Sequence, residues 1–244
     1  MINLNDIPIK KNFEVDNINT FKKVIIAIHG FGSNKESSTI TALSAVLKEN
    51  NIGLIAFDLP THGECKYNYK KLRINACLKR IKSVEKYLRG IFSGEIGFFA
   101  SSFGAYLTML YLEKYKGKYS DIILRAPALN MVKPLTNNLE KTTTIQDFKK
   151  NKKATVVTKK EIYVSYNFYV DLLKNNIFDK TAMITNTINI IYGTKDITID
   201  NNDIFKLAKI IDCNLFPIEN ADHRFKNDED LQKMIEITLK VLGS

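Results

Sequence analysis

Ser102 stands at the centre of Ala100-Ser101-Ser102-Phe103-Gly104, a small-x-Ser-x-small pentapeptide. Where such a segment joins a strand to a helix, the turn is so tight that only small side chains fit two residues either side of the serine. The serine is then held in strained backbone geometry with its hydroxyl lifted above the sheet edge, as a nucleophile for acyl transfer. The neighbouring Ser101 cannot take this place, because Phe99 and Phe103 would fall on the positions that must be small. The plainer alternative is a serine that caps a helix. A nucleophilic serine needs a base, and the base needs an acid to orient it. The chain has only three histidines, His29, His62 and His223. In a strand-turn-helix elbow the partners follow in the order Ser, acid, His, which selects His223. Asp196, closing Tyr192-Gly193-Thr194-Lys195-Asp196, is the expected acid. Asp200, Asp203 and Asp222 are alternatives that read more simply as helix-start or loop carboxylates. The backbone N–H groups of Phe103 and of Phe31, in His29-Gly30-Phe31-Gly32-Ser33, are expected to face the developing oxyanion. His29 and His62 read as histidines that order loops through backbone bonds.

These residues need a scaffold that brings them to one edge. Continuous apolar runs of the kind buried on both faces predict strands at Val24–Ile28, Ile52–Phe57, Ile96–Ala100, Ile122–Ala126, Ile188–Tyr192 and Asn214–Pro217. Helical spacing predicts helices at Glu36–Asn50, Leu72–Ile91, Phe103–Tyr115, Ile204–Ile211 and Leu231–Leu242. This alternation implies βαβ units: an α/β fold, mostly a parallel sheet with helices on both faces. Ile2–Val15 is ambiguous, with an edge hairpin as one reading. The pattern breaks after Pro127. A hairpin of Ala154–Val157 with Glu161–Val164 and a helix at Tyr166–Leu173 are expected there, within a polar and basic stretch. The segment 128–187 is longer than a connection requires and leaves the carboxyl end of a strand, so it is read as a lid inserted into a core of residues 1–127 and 188–244.

A chain of 244 residues with 45% hydrophobic and 25% charged residues is large enough to bury a core and too apolar for general disorder. No apolar run nears the roughly 18 residues of a membrane span, and Met1–Asn12 lacks the apolar stretch of a signal peptide. Three scattered cysteines, Cys65, Cys77 and Cys213, fit neither a disulfide framework nor a metal site. A reducing cytoplasmic setting is therefore expected, and the expected serine chemistry requires no metal and no organic cofactor. The formal charge of +10 comes with only five arginines, so a specific nucleic-acid partner is not expected and the lysines read as a solvated surface.

Taken together, His29-Gly30-Phe31-Gly32, Asp58-Leu59-Pro60-Thr61-His62-Gly63-Glu64, the Ser102 elbow, Gly193-Thr194-Lys195-Asp196 and Ala221-Asp222-His223-Arg224-Phe225 resemble the α/β-hydrolases from Val24 to Leu242, apart from the insertion. Leu124-Arg125-Ala126-Pro127-Ala128 is similar to the pattern of small bacterial carboxylesterases of the feruloyl and cinnamoyl esterase-like group. Thr61 departs from it, standing where a glycine is common. The resemblance implies the α/β-hydrolase fold with a small lid, and a serine esterase acting on a small-molecule ester through an acyl-enzyme. A thioesterase, lysophospholipase, acyltransferase or peptidase with the same triad is an alternative, and a non-catalytic binding protein on the same scaffold is a further one.

Overall fold

The computed structural model describes residues 6–65, 68–157, 161–181 and 184–243. The apolar runs form the interior strands, and their ends fall within about two residues of expectation. The elements are β1 (Ile9–Lys11), β2 (Lys23–Ile28), α1 (Ser38–Glu49), β3 (Ile52–Phe57), α2 (Ile74–Ile91), β4 (Glu95–Ser101), α3 (Phe103–Tyr115) and β5 (Ile122–Arg125). There follow α4 (Val132–Leu139), α5 (Ile145–Asn151), β6 (Lys153–Val157), β7 (Glu161–Ser165) and α6 (Tyr166–Lys174). The chain then returns through β8 (Ile188–Gly193), α7 (Asn201–Ala208), β9 (Cys213–Ile218) and α8 (Asp228–Leu242).

Seven strands form one sheet in the order β1-β3-β2-β4-β5-β8-β9, parallel except for β1, which runs antiparallel on β3. The two-residue period of a strand divides the core between the two faces. From β2, Val24, Ile26 and Ile28 join α2, α3 and α7 on one side, and Ile25 and Ala27 join α1 and α8 on the other. From β2 the chain winds towards β3, and from β4 towards β5, so strand order reverses between β2 and β4. The loops leaving the carboxyl ends of those two neighbours, carrying Phe31 and Ser102, flank the crevice where open α/β sheets take ligands.

Within the ambiguous Ile2–Val15 stretch the described residues form the edge strand β1, and residues 1–5 of that reading lie outside the described ones. Asn12 ends the strand by binding the sheet through its side chain: its Oδ1 accepts from Leu54 N–H at 2.7 Å and its Nδ2 donates to Ser44 O at 3.0 Å. Between β5 and β8, β6 and β7 pair as the expected hairpin and α6 is the expected helix, while α4 and α5 are short helices that periodicity missed. These elements pack around Leu135, Leu139, Phe148, Phe168 and Leu172. Arg73 anchors them to the body by a two-pronged bond to Asp171 (Nε 2.6 Å, Nη2 2.8 Å), and the Tyr106 hydroxyl donates to Asn175 O at 2.8 Å. No helix among the described residues is long and apolar enough to cross a membrane.

Candidate active site

Ser102 occupies the N-cap of α3 with φ 52° and ψ −112°, a conformation that non-glycine residues rarely adopt. Its side chain makes no capping bond, so the hydroxyl is not spent on the helix. The backbone pins the strain from both directions: Ser102 N–H donates to Arg125 O at 2.9 Å, and Ser102 O accepts from Tyr106 N–H at 3.1 Å. Gly104 is needed for close approach, because a Cβ there would lie 2.4 Å from Ile28 O and 2.7 Å from His29 O. The helix can therefore seat against the end of β2 only with glycine at this position.

The structure brings Ser102, Asp196 and His223 together from three separate strand ends. His223 Nε2 lies 3.0 Å from Ser102 Oγ, and His223 Nδ1 lies 2.6 Å from Asp196 Oδ2. The Asp196 side chain is fully buried, and its second oxygen accepts from the N–H groups of Thr198 (2.8 Å) and Ile199 (3.2 Å). The acid loop reaches the histidine loop because Gly193 lets it approach: a Cβ there would sit 2.3 Å from Ala221 O. The other carboxylates have different work. Asp200 caps α7 and pairs with Lys133, Asp203 lies in the first turn of α7, and Asp222 accepts from the N–H groups of Arg224 and Lys226 within its own loop.

Phe103 heads α3, where a backbone N–H has no acceptor within the helix. The loop carrying Phe31 abuts the serine, since a Cβ on Gly30 would lie 3.3 Å from Ser102 Cβ. The two phenylalanine rings meet edge to face at 5.8 Å, and Phe168 from α6 stacks on Phe31 at 6.2 Å and 15°. Phe31, which is partly exposed, is therefore backed by the buried rings of Phe103 and of Phe168 from α6. On the acid side, a cleft of about 270 Å³ is lined by polar groups, among them Asn130, Asn137, Thr198 and Asn202.

His29 and His62 are buried and bonded to backbone. His29 Nε2 accepts from Leu59 N–H at 3.0 Å with Nδ1 on Gly30 O at 2.8 Å, and His62 Nδ1 lies on Pro60 O at 2.9 Å. Burial lowers both pKa values, that of His29 to about 3, so these rings stay neutral. Thr61 adopts φ 67° where a glycine is common in the family pattern, and its buried hydroxyl has no hydrogen-bond partner among the described residues.

Three contributors escaped the sequence reading. Asp58, fully buried, ties the two loops together by accepting from Lys35 N–H (2.8 Å) and Glu64 N–H (2.9 Å). Arg125 sits at the end of β5 with its guanidinium 4.5 Å over the Phe225 ring, donating to His223 O at 3.1 Å. Burial lowers its pKa to about 10 against the opposing pull of Asp196 and Asp222. A charged residue ending an apolar strand was the available signal for both. Phe168 had no such signal.

A family profile described as "alpha/beta hydrolase of unknown function (DUF900)" matches residues 9–165. Among solved structures, Est1E from Butyrivibrio proteoclasticus, with ferulic acid bound, superposes with a TM-score of 0.81 at 17% identity, covering 100% of this chain and 99% of that one. The alpha/beta hydrolase domain-containing protein 10 from mouse gives 0.78 at 18% identity, covering 96% and 93%. The monoacylglycerol lipase of Paleococcus ferrophilus gives 0.71 at 18%, covering 96% and 98%. No curated protein matches the chain in sequence.

Proposed function

This chain belongs to the α/β-hydrolase family, and from that premise we propose that it is a serine hydrolase that cleaves carboxylic esters through an acyl-enzyme on Ser102. The observation that carries the reading is the hydrogen-bonded line from Ser102 Oγ through His223 to the buried Asp196. His223 Nε2 takes the hydroxyl proton as Ser102 attacks the ester carbonyl. The N–H groups of Phe31 and Phe103 hold the oxyanion of the tetrahedral intermediate. The alcohol leaves with the proton from His223, and water then repeats both steps on the acyl-enzyme. Asp196 keeps the proton of the resting imidazole on Nδ1 and stabilises the imidazolium. Protein side chains and backbone supply each proton transfer and the oxyanion contacts, so the reaction calls for no metal or organic cofactor.

The acyl group of the substrate lies against the partly exposed ring of Phe31, which the buried rings of Phe103 and Phe168 back from behind, and residues 128–187 act as the lid that completes this side. An aromatic wall accommodates short or aromatic acyl groups, consistent with the ferulic acid held by Est1E. The test is hydrolysis of a p-nitrophenyl ester series of increasing acyl length. Wild type should turn over short members, and Ser102→Ala should lose about 10⁴-fold or more in kcat. Comparable turnover by a folded Ser102→Ala variant would end this reading.

A further inference from the structure

We propose that the outward face of the insertion docks on anionic phospholipid bilayers. The insertion, residues 128–187, contains ten lysines, no arginine and five acidic residues, so a quarter of the chain carries half of the net +10. Its charge is concentrated further: Lys149, Lys150, Lys152 and Lys153 follow one another from the end of α5 into β6, all exposed. Among the described residues none of the four is in an ion pair with a carboxylate. Lys70 and Lys71 extend the patch from the body, because Lys153 Nζ lies 5.3 Å from the Tyr69 ring. Lys159 and Lys160 lie in the same stretch of sequence but outside the described residues.

The hairpin adds apolar groups to this charge. Strand alternation places Lys153, Thr155, Val157, Glu161 and Tyr163 on the same face, with Thr155 opposite Tyr163 and Val157 opposite Glu161. Val157 and Tyr163 are 47% and 45% exposed, and Lys153 Nζ stands 3.6 Å from the Tyr163 ring. Glu161 is the one carboxylate of that set. Clustered lysines on flexible stems, without arginine, suit a diffuse negative surface better than the fixed phosphate geometry of a nucleic acid, which favours the guanidinium fork. An exposed tyrosine and valine between them suit the boundary between headgroups and acyl chains. Binding of this kind does not depend on hydrolysis, and it can be measured on a chain without the serine hydroxyl.

The experiment is co-sedimentation of the full chain carrying Ser102→Ala with phosphatidylcholine vesicles, with and without about 30 mol % phosphatidylglycerol. Partitioning onto the anionic vesicles should fall about tenfold between 0.1 and 0.5 M salt as the Debye length shortens. Lys149→Glu, Lys150→Glu, Lys152→Glu and Lys153→Glu together should lower it by ~600-fold or more, at about fivefold per lysine. The same four positions changed to Gln supply a milder variant should the reversal disturb folding, with a smaller loss in the same direction. Reversal of four exposed lysines at the opposite end of the sheet (Lys22, Lys48, Lys118 and Lys209) makes the same change in net charge and should preserve most of the binding. Equal binding to neutral vesicles, or an equal loss from the distant set, overturns the proposal. Tighter binding to duplex DNA than to the anionic vesicles, lost through the same four insertion lysines, also overturns it and assigns the face to nucleic acid.

Discussion

Replacing Asp196 with Asn tests the assignment of the acid with almost no change of shape. Asp196 Oδ1 accepts two backbone N–H groups, from Thr198 at 2.8 Å and Ile199 at 3.2 Å. An asparagine must keep its carbonyl oxygen there, because turning the NH₂ towards those donors would lose both bonds, a cost of about 2–3 kcal/mol in a buried place. The NH₂ is thereby directed at His223 Nδ1, now across the 2.6 Å contact that carried the histidine proton. The ring has to accept at Nδ1 and hold its proton on Nε2, the atom facing Ser102 Oγ at 3.0 Å. A histidine in that tautomer cannot take the serine proton. The expected loss is ~10⁴-fold in kcat, the size found where a triad aspartate was replaced in this way in a protease, or about 5.5 kcal/mol in the barrier. KM for a p-nitrophenyl ester should change little, since Asp196 does not face the acyl side. The assay is steady-state hydrolysis with melting curves run in parallel. A folded variant that retains more than about a tenth of wild-type kcat refutes the tautomer argument, as does an equal loss from Asp200→Asn or Asp222→Asn.

Phe168→Ala should shift the preferred p-nitrophenyl ester to longer acyl chains, because Phe168 is fully buried against Phe31 and Phe103, and should cost about 3–5 kcal/mol in stability; an unchanged chain-length profile would remove the insertion from the acyl side. Gly104→Ala forces a Cβ towards Ile28 O and His29 O, so urea melts should show a loss of about 3 kcal/mol. His29 and His62 have folded pKa values below the ordinary 6.5, His29 at about 3. Their contribution is complete above pH 6.5 and is lost as pH falls from there towards the folded values, with a slope that approaches about 1.4 kcal/mol per pH unit for His29. Urea melts between pH 7 and pH 5 should therefore be less steep in pH for His62→Gln than for wild type, and identical slopes would contradict the buried neutral ring.

Much of the site was readable because its logic is local or ordinal. The small residues around Ser102 are dictated by one turn, and only one histidine follows Ser102 in the chain. The interior strands were equally plain, since a parallel sheet covered on both faces requires unbroken apolar runs such as Val24–Ile28 and Ile52–Phe57. The helices α4 and α5 were not visible because they are short and polar, held by a few buried side chains (Leu135, Leu139 and Phe148) rather than by a repeating stripe. Arg125, Asp58 and Phe168 escaped for a related reason. What each does depends on a partner from a distant loop: the carbonyl of His223, the N–H groups of Lys35 and Glu64, and the ring of Phe31. The +10 charge was countable from the start, but the total does not reveal that four of the exposed lysines cluster where α5 runs into β6.

Labelling with a fluorophosphonate, followed by mass-spectrometric mapping of the adduct, addresses the central claim most directly, because the phosphonate phosphorus is attacked by the activated hydroxyl alone. A single adduct on the peptide containing Ser102 is expected from wild type, with none from Ser102→Ala and a much slower reaction from His223→Ala. A folded wild-type chain that takes no label, or an adduct that maps elsewhere and survives Ser102→Ala, would contradict the account.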